Sequence, residues 1–313
     1  MISLNGIDQT KMLSQPGLME EIEKAFSSKV NVPTRLHVDI PVNNENPDST
    51  LLIMPAWQSG EAIGIKIVTV CPGNNKRNLP SIVGNYILSD GITGIPRLIM
   101  DGALLTAWRT AAVSALASRY LSRENSRCLL MVGTGTLAPH LIRAHRQMRP
   151  IEKVLVWGRN ISKAKTIVTN LRDEGINASI AECLDVAVAE ADIISCATLS
   201  GEPLIYGRWL KPGVHLDMVG SFKPNLREAD DEAIRITKKY ADTKEGATTE
   251  SGDYVIPLNQ ALMSKDDIVG DLYDLVDGRV NGRTSDEEMT FFNSVGTAAA
   301  DFGAALHVWN QIK

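Results

Sequence analysis

Several absences bound what this chain can be. No uninterrupted apolar run approaches the ~20 residues that a membrane-crossing helix needs. No basic stretch followed by an apolar segment opens the sequence, so no secretory leader is expected. Positive charge is not in excess. Lys and Arg number 32 against 37 Asp and Glu, a net charge of −5, which argues against nucleic acid or an anionic membrane as a partner. Cysteine is scarce: Cys71, Cys128, Cys183 and Cys196 are scattered without a CxxC pair. Reduced thiols in a cytoplasmic protein are therefore expected, and no metal site. What is present is a chain of 313 residues, 44% hydrophobic and 22% charged, without repeats, low-complexity runs or long linkers. That is enough globular sequence for two domains of ordinary size.

The pattern differs between the two parts of the chain. Residues 17–28 have helical apolar spacing, and extended segments follow at 34–40, 50–56, 62–70, 86–90 and 97–101. Pro72-Gly73-Asn74-Asn75 and Asp101-Gly102 read as turns, and 107–123 as a helix with an Ala-rich apolar face. From residue 126 strands and helices alternate. Strands are expected at 128–132, 153–157, 177–181, 192–197, 214–219 and 236–241, with helices at 138–148, 162–174, 184–190 and 227–234. This is the pattern of a doubly wound parallel sheet. Residues 242–246 read as a polar loop, and 266–277 and 284–290 as irregular to helical. The Ala-rich tail 294–311 reads as a helix that returns to the first domain.

The strongest motif joins the strand Cys128–Val132 to the turn Gly133-Thr134-Gly135-Thr136-Leu137-Ala138 and a following helix. Gly133 permits the tight turn, Gly135 lets backbone approach a pyrophosphate, and Ala138 allows close helix–strand packing. At the end of the next strand, where an NAD-preferring domain offers an acid to the ribose, stands Arg159, with Asn160 and Lys163 nearby. A guanidinium there pairs with a 2′-phosphate, so NADPH is expected, with NADH as the alternative; a solvated or adenine-stacked Arg159 is the plainer reading. Arg109-Thr110 opens a small-residue helix, a position that does not favour arginine unless it has a task such as holding a carboxylate. Lys66 stands inside an apolar strand whose alternation puts Ile63, Ile65 and Ile67 on one face and Gly64, Lys66 and Val68 on the other. It reads either as an edge lysine reaching solvent or as a ligand cation, and Arg35 carries the same ambiguity. His37, two residues on, shares the strand face of Arg35 and reads first as a structural histidine. These cations suggest a small anionic substrate, most simply a carboxylate.

With these residues in view, the chain resembles the ornithine cyclodeaminase/mu-crystallin family over nearly its full length. The likeness is carried by Arg35, Met54-Pro55-Ala56, Gly64-Ile65-Lys66, Met100-Asp101-Gly102, the Arg109–Ser114 block and the Gly133–Ala138 turn. Further matches are Val156–Arg159, Lys211-Pro212-Gly213, Val219-Gly220-Ser221 with Pro224 and Glu228, Glu250–Asp253 and Ser294–Ala298. The resemblance implies an α/β protein in two domains. One is a Rossmann-type doubly wound parallel sheet domain, 119–293. The other is a discontinuous α+β substrate-binding and dimerisation domain, 1–118 with 294–313, meeting its homodimer partner through a sheet. It implies that Arg35, Lys66 and Arg109 bind the substrate carboxylate, Lys66 and Arg109 with a catalytic part. Thr110, Gly133, Gly135, Thr136, Leu137, Arg159, Asn160, Lys163, Thr198, Val219, Ser221 and Val295 would line the cofactor. One departure selects within the family. Its cyclodeaminases place an aspartate near the position of Ser221 or Phe222, and here no acid follows until Glu228. Ring closure with ammonia loss needs proton transfer at each step. The expected activity is therefore NADPH-dependent reduction of Δ1-pyrroline-2-carboxylate or Δ1-piperideine-2-carboxylate to L-proline or L-pipecolate. An ornithine cyclodeaminase, a related amino-acid dehydrogenase and a non-catalytic NADPH-dependent binder of small molecules are the alternatives.

Overall fold

A computed structural model of the chain describes all residues except 5, 15, 29, 43–47 and 78. They form two compact units, Met1–Arg109 with Thr297–Lys313, and Thr110–Gly296.

The first unit is built on a six-stranded sheet. Its strands are β1 (Ile2–Ser3), β2 (Leu36–Ile40), β3 (Ser49–Gln58), β4 (Ala62–Val70), β5 (Ile82–Asp90) and β6 (Pro96–Asp101), in the order β1-β6-β5-β4-β3-β2. All pairs are antiparallel except β1 with β6. β4 is interior, paired along its full length with β3 and β5. Its alternation is inverted relative to ordinary amphipathic strands: Ala62, Gly64, Lys66 and Val68 are buried, while Ile63 and Ile65 are half-buried and Ile67 is exposed. The edge-lysine reading of Lys66 is thereby corrected. The buried face is lined by small residues because a helix lies close on it. The C-terminal helix Ala298–Asn310 packs against β3 and β4, and a side chain at Gly64 would approach Phe302 to 3.1 Å. Gly303 lets the helix Leu18–Ser27 pack on the same element, since a Cβ there would lie 2.8 Å from the Ile22 backbone. On the opposite face Leu36, Val38, Ile67 and Val83 stay exposed beside half-buried Leu51, Ile53, Ile65 and Ile87, a continuous apolar surface.

The turn expected at Asp101-Gly102 does not form. β6 runs directly into a 20-residue helix, Gly102–Leu121, because Asp101 Oδ1 accepts the Leu104 N–H at 2.7 Å and caps the helix start.

The second unit is an eight-stranded, wholly parallel sheet. Its strands are β7 (Cys128–Val132), β8 (Lys153–Trp157), β9 (Ala178–Ile180), β10 (Ile193–Cys196), β11 (His215–Met218), β12 (Lys238–Ala241), β13 (Ile268–Asp271) and β14 (Thr290–Asn293). The order β13-β12-β14-β11-β10-β7-β8-β9 reverses direction between β7 and β10, the place where open α/β sheets bind ligands. The doubly wound α/β reading therefore holds, and two strands are added to it. β13 and β14 lie where the sequence reads as irregular to helical or carries no signal. β14 enters the middle of the sheet, and all four of its residues are buried, so it has no alternation to read. The loop expected at 242–246 instead enters the helix Lys244–Glu250, capped by Thr243 accepting the Gly246 N–H at 3.2 Å. No helix among the described residues is long and apolar enough to cross a membrane.

Candidate active site

In the first unit a buried ionic cluster joins three elements. Lys66 projects from β4, Arg109 from the helix Gly102–Leu121, and Asp301 from the first turn of the C-terminal helix, which Thr297 caps by accepting the Ala299 N–H. Asp301 Oδ2 lies 2.6 Å from Lys66 Nζ, and Arg109 Nε donates to Asp301 Oδ1 at 3.0 Å. Lys66 Nζ also donates to Thr106 Oγ1 at 3.3 Å. Lys66, Arg109 and Asp301 are 2%, 6% and 0% exposed. Burial pushes the Lys66 ammonium down to about 8; Asp301 opposes that fall, and Arg109 and Arg35 add to it. Burial raises the Asp301 carboxyl, but Lys66 and Arg109 outweigh it and hold the group below the usual carboxylate range. Arg35 is half-buried just before β2, whereas His37 is exposed on that strand. The Tyr86 ring, opposite Lys66 on β5, is buried beside the cluster with its hydroxyl over Gly64.

In the second unit the glycine turn leaves β7 at the switch point. Gly133 has φ 119°, donates its N–H to Trp157 O at 2.9 Å, and has no room for a side chain because a Cβ would lie 2.5 Å from Ala197 O. At Gly135 a Cβ would meet no protein atom within 4 Å, so the glycine faces open space on the exposed side of the turn. The helix Leu137–Met148 follows, and the residue before it, Thr136, makes no side-chain cap, which leaves the helix N-terminus open to an anion. Ala138 is buried against the sheet. Arg159 is exposed after β8 and makes no ion pair among the described residues. Its neighbour Asn160 has a structural task, since Oδ1 accepts the Lys163 N–H at 3.1 Å and caps the helix Ile161–Asp173. These features fit a dinucleotide: an open glycine turn and a helix N-terminus without a side-chain cap, with an exposed guanidinium nearby.

Of the remaining expected residues, Thr198, Val219, Ser221 and Val295 follow the C-terminal ends of β10, β11 and β14, and Thr110 lies in the helix Gly102–Leu121. Thr198 donates through N and Oγ1 to Glu228 Oε1 at 2.6 and 2.7 Å, and Gly220 N donates to Glu228 Oε2 at 2.8 Å. Asp253 Oδ1 accepts the N–H groups of Glu228 and Ala229 at 2.9 and 3.0 Å. Burial, with the Asp253 charge beside it, pushes Glu228 up to about 8 against the opposing hydrogen bonds. Ser221 is buried, its hydroxyl 2.8 Å from that of Ser251 and accepting from Asn293 at 3.3 Å, so its side chain faces protein. Val219 and Thr110 are buried. The segment Ser294-Val295-Gly296 is held by Asp242, which accepts from Ser294 Oγ at 3.1 Å and Gly296 N at 2.6 Å.

Asp301 escaped the sequence reading, and Asp253 and Asp242 were given no role in it. For Asp301 a signal existed: it is the only acid in the otherwise apolar run Ala298–Leu306, as anomalous there as Lys66 is in its strand.

Comparison with known proteins agrees with this architecture. The profile of the ornithine cyclodeaminase/mu-crystallin family matches residues 3–313. The chain is 37% identical over 299 residues to a Δ1-pyrroline-2-carboxylate reductase of Colwellia psychrerythraea, covering 94% of each protein. It superposes on Thermococcus litoralis Δ1-pyrroline-2-carboxylate reductase in complex with NADH and L-proline with a TM-score of 0.93 and 33% identity, covering 99% of this chain and 97% of that one. An archaeal alanine dehydrogenase dimer with bound NAD gives a TM-score of 0.91 and 28% identity, covering 99% and 95%. The chain belongs to the ornithine cyclodeaminase/mu-crystallin family.

Proposed function

We propose that the protein is a nicotinamide-dependent imine reductase that prefers NADPH and converts a five- or six-membered cyclic imino acid to L-proline or L-pipecolate. The carrying observation is a charge count in the first unit. Lys66 and Arg109 are both buried, and one carboxylate, Asp301, is shared between them. Buried cations are stable only when paired, so the surplus positive charge calls for an anionic ligand. A substrate carboxylate supplies it. The Arg109 contact with Asp301 uses Nε, so its terminal guanidinium nitrogens are not spent on that bond. They donate to a carboxylate in a fork-to-fork pair, with Lys66 Nζ beside them and Arg35 adding field. Fixing the carboxylate fixes the ring, and such orientation is worth up to roughly 7–11 kcal/mol of barrier.

In the second unit the Gly133–Ala138 turn and the open N-terminus of the next helix bind the pyrophosphate, and Arg159 binds the 2′-phosphate. Thr110, Thr198, Val219 and Val295 contribute to the cofactor wall. When bound, the nicotinamide would supply the hydride to the C=N carbon of a substrate whose ring nitrogen enters already protonated from solvent, giving the neutral amine. Ring closure is the less favoured chemistry, because Ser221 is not an acid and both oxygens of Glu228 are engaged by Thr198 and Gly220. The apolar outer face of the six-stranded sheet is the homodimer surface.

The test is oxidation of NADPH and NADH by the purified protein with five- and six-membered cyclic imino acids, beside an ammonia-release assay with ornithine. Imine-dependent oxidation without ammonia release is expected, from a particle of twice the 34.1 kDa chain mass. Arg159→Ala should weaken NADPH about tenfold more than NADH. Equal losses for the two cofactors would sink the preference, and ammonia with proline from ornithine would replace the reaction.

A further inference from the structure

We infer that Asp301 is the positioning residue of the substrate-carboxylate site: its two oxygens hold Lys66 and Arg109 at a fixed separation and keep the Lys66 ammonium protonated in a buried place. The inference rests on the reading of Lys66 and Arg109 as carboxylate ligands and adds a residue that the reading did not contain. The geometry carries it. One carboxylate, fully buried, gives Oδ2 to Lys66 Nζ at 2.6 Å and Oδ1 to Arg109 Nε at 3.0 Å. The three side chains come from a strand and two helices, so no local backbone hydrogen bond sets their relative position. Asp301 is the common atom group.

The groups facing Lys66 explain why an anion is needed there. Arg109 from the long helix and Arg35 from the segment before β2 both repel its charge. Thr106 contributes a neutral hydroxyl, and Tyr86 from β5 a phenol held neutral by burial. Asp301 from the C-terminal helix favours the ammonium form. Lys66 titrates at about 8 with Asp301 in place. Removing the negative charge lowers that value further, since the burial penalty and two repelling cations remain. Above its titration point a neutral lysine no longer attracts a carboxylate. A basic limb of kcat/KM that follows the Lys66 titration is therefore expected as pH rises, apart from any fall that comes from deprotonation of the substrate nitrogen, and Asp301 sets where the lysine part lies.

The experiment compares wild type with Asp301→Asn and Asp301→Glu. The first keeps the shape and loses the charge; the second keeps the charge and lengthens the arm by one methylene. Turnover of a cyclic imino acid is followed from about pH 6 to pH 10, and the Lys66 Nζ titration is followed in parallel by 15N NMR of labelled lysine. Asp301→Asn should move both the basic limb and the lysine midpoint down by about one unit or more, and raise KM about tenfold at neutral pH. Asp301→Glu should leave the limb within about half a unit while KM rises, a split that loss of folding alone does not produce. An unmoved lysine midpoint in Asp301→Asn overturns the inference, as does an equal displacement of the limb in both variants. Should Asp301→Asn fail to fold, the glutamate variant decides alone, and an unchanged KM there overturns the inference. The NMR titration needs no turnover. A protein that reduces no cyclic imine but shows the shifted lysine midpoint refutes the substrate reading and leaves standing only that Asp301 keeps the Lys66 ammonium charged.

Discussion

Two buried carboxyl sites in this protein are shifted in opposite directions. Asp301 and Glu228 are both fully buried, and burial pushes both upward. Asp301 meets two cations and ends below the usual carboxylate range. Glu228 meets three neutral donors and a second acid, Asp253, and ends at about 8. Desolvation is common to the two, so the difference lies in the sign of the neighbour. A carboxylate kept ionised between cations sets up a site for another charged group. A carboxyl on backbone and threonine donors sets the shape of a loop, here the approach of Thr198 to Gly220 at the end of the parallel sheet.

The largest effect comes from breaking the first site. Arg109→Ala should cut kcat/KM for a cyclic imino acid about 100-fold or more, about 3 kcal/mol, mostly through KM. The same variant should move the basic limb upward, because Arg109 is one of the groups that depress Lys66. That direction is opposite to the Asp301→Asn shift, so steady-state pH profiles of the two variants give a paired check. Near wild-type kinetics for Arg109→Ala would remove the cluster from the substrate site altogether.

The second site should show itself as stability. Glu228 titrates near the ordinary 4.5 when unfolded and at about 8 in the fold. Its contribution is fully present below the unfolded value and is lost as pH rises through the folded one, at up to ~1.4 kcal/mol per pH unit. Asp253→Asn keeps the acceptor for the Glu228 and Ala229 N–H groups and removes the neighbouring charge. Glu228 then ionises at lower pH, and the decline in stability between about pH 5 and pH 8 becomes shallower. Urea unfolding at two pH values across that window measures it. Equal slopes in wild type and variant would mean that Asp253 does not control Glu228.

The same contrast explains how much was legible beforehand. The dinucleotide turn was readable because its signal is local: an apolar strand, two glycines, an alanine and a helix in one continuous stretch. Lys66 was readable as an anomaly, but its direction was not. Whether it faced solvent or core depended on β3 and β5 flanking β4, which no pattern within nine residues reveals. Asp301 was harder still, since its partner Arg109 lies 192 positions away and the helix around it reads simply as buried. β14 left no trace because four buried residues in a central parallel strand carry neither alternation nor helical spacing. Asn160 was read as a polar residue beside the expected cofactor, and its side chain caps the start of the helix Ile161–Asp173.

Asn160 supplies the smallest and sharpest extension of the contrast, because it lies at the surface where solvent screens charge. Asn and Asp cap helices about equally well, so Asn160→Asp should leave stability unchanged to within about 0.5 kcal/mol, while Asn160→Ala should cost about 1 kcal/mol. A new carboxylate at 160 stands next to Arg159, where a surface charge pair is worth only up to ~1 kcal/mol. That is enough to oppose a 2′-phosphate and weaken NADPH by about fivefold, while NADH, which lacks that phosphate, is little affected. Asn160→Ala should weaken both cofactors alike, if at all. Cofactor titrations beside thermal melts separate the cap from the ligand contact. An Asn160→Asp protein that binds both cofactors as wild type does would place the phosphate away from Arg159.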